Sequence, residues 1–447
     1  MEIYKYLIDY NYVNSFCIND LRKALVIPIV SKGIYCTFFV CDESELCSLN
    51  LNSIVEEIRI SKKEIEFFLS DINTRVDFFN KSEGLIKQTE IDSNKMKSFF
   101  NSLLEKTLLL RSSDIHFETL ENSMLIRFRI DGELKSFYVF RKEFFKSISS
   151  YIKMLSKLDI TKVRTPQDGR FSFNNIDFRV STMPTINGES IVVRVLDNIN
   201  VKQDLNSLDF SSNLLESFNE IVKLKEGLVL ITGPTGSGKS TTLYSLIKQL
   251  NNENKKIITI EDPVEYKIEQ VQQININDEI NLGFSTVLKN ILRQDPDIIL
   301  IGEIRDAYSL SIALQASLTG HLVFASIHAN SSVDTISRLI DLKADNFLLA
   351  STLKFVISQR LVLKVCPSCN EKGCEKCNFK GFLGRVCIAE SLKIDSEIKK
   401  YLLEKDFIIK VDEYLKKRNY KTILDDGLKK VEENKTTLKE VYKVIGS

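Results

Sequence analysis

One stretch of the chain, residues 227–240, has the residue types and spacing of a phosphate-binding loop. A short apolar run, Leu228–Thr232, is followed by Gly233-Pro-Thr-Gly-Ser-Gly-Lys-Ser240, which matches the pattern G-x-x-x-x-G-K-[ST]. Glycines there let backbone N–H groups turn toward phosphate oxygens, and a helix starting at this point adds the positive end of its dipole. Lys239 would contact the β- and γ-phosphates, and the Ser240 hydroxyl would ligate Mg²⁺. The residues expected to bind nucleotide are Gly233, Pro234, Thr235, Gly236, Ser237, Gly238, Lys239, Ser240, Thr241 and Thr242.

Three other apolar runs end in polar residues suited to phosphoryl transfer. Glu261 and Glu303 each follow such a run, and His328 follows a third. A carboxylate placed after an apolar strand supplies the hard oxygen ligand that Mg²⁺ prefers. Phosphoryl transfer needs a metal ion, a group that orients water and a polar group near the γ-phosphate. These residue types predict one nucleotide site with two candidate acids and a histidine.

The chain has only three histidines, His116, His321 and His328. A single histidine is more often a buried structural residue than a functional one. Because His321 and His328 flank the same predicted strand of the nucleotide-binding region, we expect both of them to be functional.

The elements that must position these residues alternate along the chain. Apolar runs at Leu228–Thr232, Ile257–Ile260, Ile298–Ile301 and Leu322–Ser326 are separated by helix-like stretches. This alternation predicts a mostly parallel sheet with helices packed on it. In such sheets ligands bind at the carboxyl ends of the strands, where the glycine loop, both acids and His328 would lie together.

An α+β unit is predicted upstream of this sheet. Met96–Leu110 has the apolar spacing of an amphipathic helix. Leu125–Ile130 alternates as a strand, Asp131-Gly132 is a strong hairpin signal, and Glu133–Phe140 is the expected return strand.

Four arginines follow in the second half of this unit, at Arg164, Arg170, Arg179 and Arg194. Arg179 and Arg194 fall on predicted strands. Taken one at a time, such arginines most often lie on a solvated strand face.

Residues 1–90 carry few residues that could do chemistry. Leu25–Val30 and Tyr35–Val40 are predicted as strands, and Ile58–Phe68 as helical. We interpret this region as a small variable module that either docks to a partner or caps the fold.

Composition is that of an ordinary globular protein of several domains. The 447 residues are 43% hydrophobic and 27% charged, with a net charge of +1, so the overall charge does not indicate nucleic-acid binding. The N-terminus lacks the pattern of a signal peptide, and no apolar run is long enough to cross a bilayer. We therefore expect a cytoplasmic protein that contacts the membrane through a partner.

Four of the nine cysteines form a compact motif at Cys366, Cys369, Cys374 and Cys377. The odd total, without an export signal, argues against a disulfide framework. The spacing C-x₂-C-x₄-C-x₂-C suits a closed tetrahedral Zn²⁺ site of structural role, although the x₄ spacer is short. A redox pair or a site that has lost its metal are the alternatives.

Taken together, these motifs resemble the secretion ATPases of type II secretion and type IV pilus assembly. The most specific run is Leu292–Asp306, LRQDPDIILIGEIRD. Thr259–Tyr266 is similar to the family's aspartate box, and Thr319–His328 to its histidine box. Thr165–Arg170 and Arg179–Pro184 are similar to the second N-terminal domain of the family. The likeness spans about residue 95 to the C-terminus.

The resemblance implies specific roles. Such proteins form hexamers that bind ATP between the ATP-binding domain and an N-terminal domain. Glu303 would be the Walker B acid near Mg²⁺, Glu261 the general base or water-positioning acid, and His328 the γ-phosphate sensor. Arg179 and Arg194 match arginines that reach the phosphates. One departure is Ala329, where the family usually has threonine.

The fold class implied is α/β, with a RecA-like P-loop ATPase domain preceded by an α+β, PAS-like domain. The expected divisions are a docking module at 1–90, the α+β domain at 92–197, a linker at 198–212, the ATP-binding domain at 213–362, the zinc element at 363–390 and C-terminal helices at 391–447.

The implied partners are further copies of the chain in a homo-hexamer, a polytopic inner-membrane platform protein, and the cytoplasmic domain of a membrane docking protein bound by the N-terminal module. No direct nucleic-acid contact is expected. The protein would act at the cytoplasmic face of the inner membrane, with ATP, Mg²⁺ and Zn²⁺, and drive assembly of pilin or pseudopilin filaments. The alternatives are a nucleotide-gated scaffold without turnover and a pilus retraction motor, although retraction motors generally lack the cysteine motif.

Overall fold

The computed structural model forms two compact units. The first joins Met1–Asp197 to Cys366–Leu383, and the second joins Asn198–Val365 to Gly384–Ser447. The predicted boundary residues 92 and 197, and residues 198–203 of the predicted linker, lie outside the described residues. The structure describes residues 3–86, 93–196, 204–277, 280–404 and 406–446.

The N-terminal part of the first unit is a three-stranded sheet with short helices. The strands lie in the order β1-β2-β3, with β1 and β2 antiparallel and β2 and β3 parallel. The predicted strands near Leu25–Val30 and at Tyr35–Val40 are confirmed, but the helix predicted over Ile58–Phe68 begins only after Ser61, whose side chain caps it. The elements are α1 (Tyr10–Val13), α2 (Ile18–Ala24), β1 (Ile27–Lys32), β2 (Tyr35–Val40), β3 (Ile54–Arg59), α3 (Lys62–Ser70) and α4 (Ile72–Ile86).

Residues 93–196 of the first unit contain a six-stranded antiparallel sheet in the order β6-β5-β4-β9-β8-β7. The hairpin predicted at Asp131-Gly132 is confirmed: φ is +55° and +89° at the two residues, the left-handed values that a tight hairpin needs. Aromatic and aliphatic residues of four helices, two of them from the N-terminal part, share one core with the sheet. The elements are α5 (Ser93–Leu109), β4 (Ser112–Thr119), β5 (Ser123–Ile130), β6 (Glu133–Arg141), α6 (Phe144–Leu155), β7 (Gln167–Phe173), β8 (Ile176–Thr185) and β9 (Gly188–Leu196).

The second unit is built on a seven-stranded sheet in the order β12-β11-β13-β14-β10-β15-β16. Neighbouring strands from β12 to β15 are parallel, as predicted. Its strands are β10 (Gly227–Thr232), β11 (Ile257–Glu261), β12 (Gln272–Asn275), β13 (Ile298–Ile301), β14 (Leu322–Ile327), β15 (Leu353–Val365) and β16 (Phe382–Lys393).

Helices cover both faces of this sheet. Leu228 and Leu230 of β10 belong to one buried cluster, and Val229 and Ile231 to another, because successive side chains of a strand point to opposite faces. This explains why the strand is apolar throughout. The helices are α7 (Ser212–Ile221), α8 (Lys239–Leu250), α9 (Phe284–Ile291), α10 (Ala307–Leu318), α11 (Ser332–Asp341), α12 (Asn346–Thr352), α13 (Ser396–Leu402), α14 (Phe407–Lys417), α15 (Ile423–Glu432) and α16 (Leu438–Ile445).

In the part of the chain that the structure describes, no helix combines the length and apolar character needed to span a bilayer.

Candidate nucleotide site

The glycine loop joins the buried strand β10 to helix α8, which begins at Lys239. Gly233 has a φ of +147°, and a Cβ atom there would lie 2.4 Å from the carbonyl oxygen of Gln359 and 2.6 Å from Ser237 Oγ. No larger residue fits that position. The loop therefore turns tightly over the middle of β15, and its peptide groups sit at the start of α8, where a helix attracts anions.

The loop contains polar groups that phosphate would satisfy. The Ser237 side chain is buried, and its Oγ has no hydrogen-bond partner among the described residues. Lys239 Nζ donates to the carbonyl oxygens of Gly233 at 2.8 Å and Pro234 at 3.1 Å. Burial lowers the pKa of Lys239, and the nearby carboxylate of Glu303 opposes that shift. A buried hydroxyl and an ammonium group held by backbone carbonyls fit a bound triphosphate.

Thr242 is placed differently from the prediction. Its side chain is 2% exposed, and its hydroxyl donates to Gln359 Oε1 at 2.9 Å. Because it lies one turn into α8 and bonds to β15, its side chain points toward the sheet and not into the loop. Ser240, in contrast, is exposed at the start of the helix, as the predicted Mg²⁺ ligand needs to be.

Glu303 and His328 meet at the carboxyl ends of β13 and β14. His328 Nε2 lies 3.3 Å from Glu303 Oε1, and Arg305 Nε donates to Glu303 Oε2 at 3.1 Å. The Glu303 side chain is 26% exposed and that of His328 is 46% exposed, so solvent or a ligand can reach both. The carboxyl ends of neighbouring parallel strands lie at the same edge of the sheet. Two predicted residues that are 25 positions apart in sequence therefore meet there.

Glu261 ends the neighbouring strand β11 but is almost completely enclosed, with 5% of its surface exposed. Its Oε1 accepts hydrogen bonds from Thr259 Oγ1 at 2.5 Å and Gln273 Nε2 at 3.3 Å, and its Oε2 accepts one from the hydroxyl of Tyr244. Burial, together with the Glu261 carboxylate, raises the pKa of Tyr244 well above its usual range, so the phenol stays a donor. Both carboxylate oxygens are therefore hydrogen-bonded to neighbouring side chains.

His321 lies at the other end of β14 from the nucleotide loop, so the expectation that it serves this site is wrong. It precedes Leu322, the first residue of the strand. Its Nδ1 contacts the carbonyl oxygen of Ala316 at 2.9 Å and Thr319 Oγ1 at 3.1 Å, both from the end of α10. A strand has a carboxyl and an amino end, and only His328 follows the carboxyl end.

The predicted arginines belong to the six-stranded sheet of the first unit. The pairing register places Arg170, Arg179, Arg194, Asp114 and Arg129 directly opposite one another on adjacent strands β7, β8, β9, β4 and β5. Residues directly opposite in a sheet point to the same face. One carboxylate among four guanidinium groups leaves this row positively charged, which suits an anionic ligand.

Carboxylates form ion pairs with three of these arginines, and one of the pairs joins Arg129 Nε to Asp114 Oδ2 at 3.7 Å. Asp114 is buried, and its Oδ1 accepts a hydrogen bond from Arg194 Nε at 2.9 Å. Arg179 Nη2 lies 3.5 Å from Asp168 Oδ1. The row across the strands was not visible in the sequence, because it depends on the register between strands.

The four cysteine thiols form a cluster whose dimensions fit zinc. All four Sγ atoms lie within 4.8 Å of one another, with separations of 3.9 Å for Cys366–Cys374, 3.7 Å for Cys369–Cys377 and 3.8 Å for Cys374–Cys377. Tetrahedral Zn²⁺ with Zn–S bonds of about 2.3 Å requires S–S separations of about 3.8 Å. Burial opposes ionisation of Cys377, but backbone N–H groups of Cys374 and Gly381 outweigh it and lower its pKa to about 7. The cluster can therefore hold one structural Zn²⁺ ion.

Residues outside the predicted set also hold the loops of this site. Gln359 and Arg360, neighbours in β15, bond respectively to the glycine loop and to Asn330 in the segment after His328. The only sequence signal for them was a polar pair inside the otherwise mainly apolar run Leu353–Val365.

The family model described as type II/IV secretion system protein matches residues 89–443 of the chain. The chain belongs to this family. Members of the family similar to it include type II secretion system protein E of Dickeya dadantii, 37% identical over 422 residues, which are 88% of this chain and 84% of the relative. The type II secretion system ATPase E of Vibrio cholerae is 37% identical over 401 residues, 82% of this chain and 80% of the relative.

Solved structures of an ATPase and of a pilus retraction motor share the fold of this family member. The Legionella pneumophila ATPase DotB superposes with a TM-score of 0.63 at 24% identity, covering 78% of this chain and 95% of DotB. The pilus retraction motor PilT, solved with bound ADP, gives a TM-score of 0.59 at 26% identity, covering 77% of this chain and 96% of PilT. The family, the fold and the phosphate loop identify the chain as a secretion-system ATPase that uses ATP with Mg²⁺.

Proposed function

We propose that this chain is the hexameric motor ATPase of a type II secretion or type IV pilus assembly machine. It works at the cytoplasmic face of the inner membrane and drives assembly of pilin or pseudopilin filaments through a polytopic platform protein. The observation that carries this proposal is the convergence of Lys239, Glu303 and His328 at one edge of a parallel sheet, in a chain 37% identical to type II secretion relatives over most of its length.

Within the site, the proposed roles follow the environment of each side chain. Lys239 binds the β- and γ-phosphates, and Glu303 with Ser240 holds Mg²⁺, which neutralises the charge that develops on the phosphates. His328, in contact with Glu303, senses the γ-phosphate. Glu261 orients or activates the attacking water, which Oε2 can accept beside the hydroxyl of Tyr244.

Arg179 and Arg194 are proposed to contact the phosphates from the α+β domain and to stabilise the transition state. Their adjacent positions on β8 and β9 support a shared role. Residues 1–90 are proposed to dock to the cytoplasmic domain of a membrane protein, and the domain boundaries given above stay a prediction.

Steady-state ATP hydrolysis with Mg²⁺, measured for the wild type beside Glu303→Gln, tests the proposal. The wild type should hydrolyse ATP slowly, and Glu303→Gln should lose turnover by orders of magnitude while a fluorescent ATP analogue still binds. Size-exclusion chromatography with light scattering should show a hexamer. If wild-type protein, assembled and supplied with its platform partner, binds ATP without hydrolysing it faster than Glu303→Gln, the chain acts as a scaffold and not as a motor.

A further inference from the structure

Gln359 bonds with both ends of its side-chain amide to the segment that carries the phosphate loop. It lies in β15, which pairs directly with β10, and its residue is 1% exposed. Its Nε2 donates to the carbonyl oxygen of Ser237 at 2.8 Å, and its Oε1 accepts from Thr242 Oγ1 at 2.9 Å. A buried amide with both ends satisfied holds its partners firmly, because breaking either bond leaves a buried polar group unpaired.

The contact with Ser237 fixes the orientation of the next peptide N–H. A peptide group is planar and trans, so the carbonyl of Ser237 and the N–H of Gly238 point in opposite directions. With the carbonyl bonded to Gln359 in the sheet, the Gly238 N–H is directed away from the sheet, toward the concave side of the loop. Backbone N–H groups on that side are the ones that surround phosphate oxygens in loops of this pattern.

Gly238 by itself would not hold this orientation. Its φ is +90°, a value that glycine adopts readily and other residues do not. The same freedom lets the Ser237–Gly238 peptide rotate, and a rotated peptide would present a carbonyl oxygen to the phosphates. A Cβ atom at Gly238 would lie 3.2 Å from Gln359 Nε2, so the amide also packs closely against the loop.

We propose that Gln359 is a positioning residue for ATP: by holding the Ser237 carbonyl, it keeps the Gly238 N–H aimed at the phosphates. Gln359 itself does not touch the nucleotide. The inference rests on the assignment of residues 233–240 as the phosphate loop of the proposed ATPase, and it adds a residue from another strand to the binding machinery.

The test compares Gln359→Leu and Gln359→Glu with wild type. Leucine removes the donor, whereas glutamate places a carboxylate oxygen against the Ser237 carbonyl and adds negative charge near the triphosphate. Thr352→Val is the matched control: Thr352 is 2% exposed in the same unit, and its Oγ1 donates at 2.7 Å to the carbonyl oxygen of Leu348, away from the loop. Each variant is titrated with a fluorescent ATP analogue and Mg²⁺, and its melting temperature is measured without nucleotide.

We expect Kd for the ATP analogue to rise about ten- to a hundredfold in Gln359→Leu, the effect of losing one hydrogen bond to a charged acceptor. The rise should be larger in Gln359→Glu, and Thr352→Val should bind like wild type at a similar loss of melting temperature. In steady-state hydrolysis measured over a range of ATP concentrations, KM should rise. The value of kcat should stay within about threefold of wild type, because the lost interaction contributes equally to binding of the substrate and of the transition state.

The inference is overturned if both Gln359 variants bind the analogue with wild-type affinity and only melt earlier, because Gln359 is then merely a structural brace. Wild-type protein that fails to bind ATP at all would instead refute the phosphate-loop assignment, and with it this inference. Binding is measured without hydrolysis, so a wild type that binds but does not turn over ATP refutes the motor proposal alone.

Discussion

Replacing Arg194 with alanine should separate the catalytic contribution of the arginine row from its contribution to folding. The Arg194 side chain is 59% exposed, but that of its partner Asp114 is only 6% exposed. A buried acceptor that loses a donor costs ~1–3 kcal/mol of stability. Arg129 Nε, 3.7 Å from Asp114 Oδ2, remains beside this carboxylate, and removing Arg194 relieves repulsion from Arg179, which lies directly opposite on β8. The free energy of unfolding should therefore fall by about 1–3 kcal/mol.

The expected effect on catalysis is larger. An arginine that stabilises the charge of a transferring phosphoryl group contributes about 10³- to 10⁵-fold to kcat. At 1.36 kcal/mol for each factor of ten, that corresponds to ~4–7 kcal/mol of the activation barrier. A variant that stays folded under the assay conditions yet loses this much turnover cannot owe the loss to unfolding.

The assay is phosphate release at saturating ATP and Mg²⁺, combined with urea unfolding and analogue binding on the same preparations. Arg164→Ala is the control, because Arg164 is exposed and precedes β7 instead of lying in the row. We expect Arg194→Ala to bind ATP and lose turnover while Arg164→Ala keeps both. If Arg194→Ala retains kcat within about threefold of wild type, or if Arg164→Ala loses as much, the row has no part in phosphoryl transfer.

Three further predictions concern the zinc cluster, the two histidines beside β14, and the ion pair between Asp209 and Lys364. Cys369→Ser should reduce bound zinc, measured by elemental analysis, from one ion per chain to none, and should lower the melting temperature; an unchanged zinc content would show that the four thiols do not bind it. His321→Ala should retain wild-type ATP hydrolysis while His328→Ala loses it, and equal losses would contradict the placement of His321 at the amino end of β14. Asp209 bonds to Lys364 at 2.6 Å, and this lysine, opposed by partial burial, holds the pKa of Asp209 below its usual range. A depressed carboxylate pKa stabilises the folded state above the unfolded value of about 3.9 and ceases to do so as pH falls through the folded value. The difference in unfolding free energy between wild type and Asp209→Asn should therefore shrink below about pH 4 in acid titrations of urea unfolding, and a constant difference would refute the linkage.

The parts of the site that could be predicted are those set by spacing along the chain. The glycine loop, the acids and His328 each follow an apolar run, and one rule about parallel sheets brings them to one edge. Likewise, Asp131-Gly132 indicates its own turn, because both residues adopt left-handed φ values. In each case the structure depends on a few residues that are neighbours in the sequence, so it could be predicted without knowing which distant segments pair.

The parts that could not be predicted depend on how distant segments align. The enclosure of Glu261 is made by Tyr244 from α8 and Gln273 from β12, and the arginine row requires the register of five strands. The helix predicted over Ile58–Phe68 is present from Lys62 onward, and only its start was wrong, because Ile58 and Arg59 end strand β3 and Ser61 caps the helix. His321 was misjudged although its position could be predicted: it precedes the run Leu322–Ser326, and a residue before a strand lies at the amino end, away from the edge where ligands bind.

The contrast between the two carboxylates supports giving them different roles. Glu303 is partly exposed beside His328 and Arg305, as a metal ligand must be, whereas Glu261 is buried with both oxygens hydrogen-bonded. Carboxylates placed in different environments are the usual means by which one site separates two chemical tasks. Each oxygen of a carboxylate can accept two hydrogen bonds, and among the residues that the structure describes Glu261 Oε2 has one donor, the hydroxyl of Tyr244. On the proposed mechanism, the second position on Oε2 accepts the attacking water while Tyr244, Thr259 and Gln273 hold the carboxylate in place, and Glu303 binds Mg²⁺.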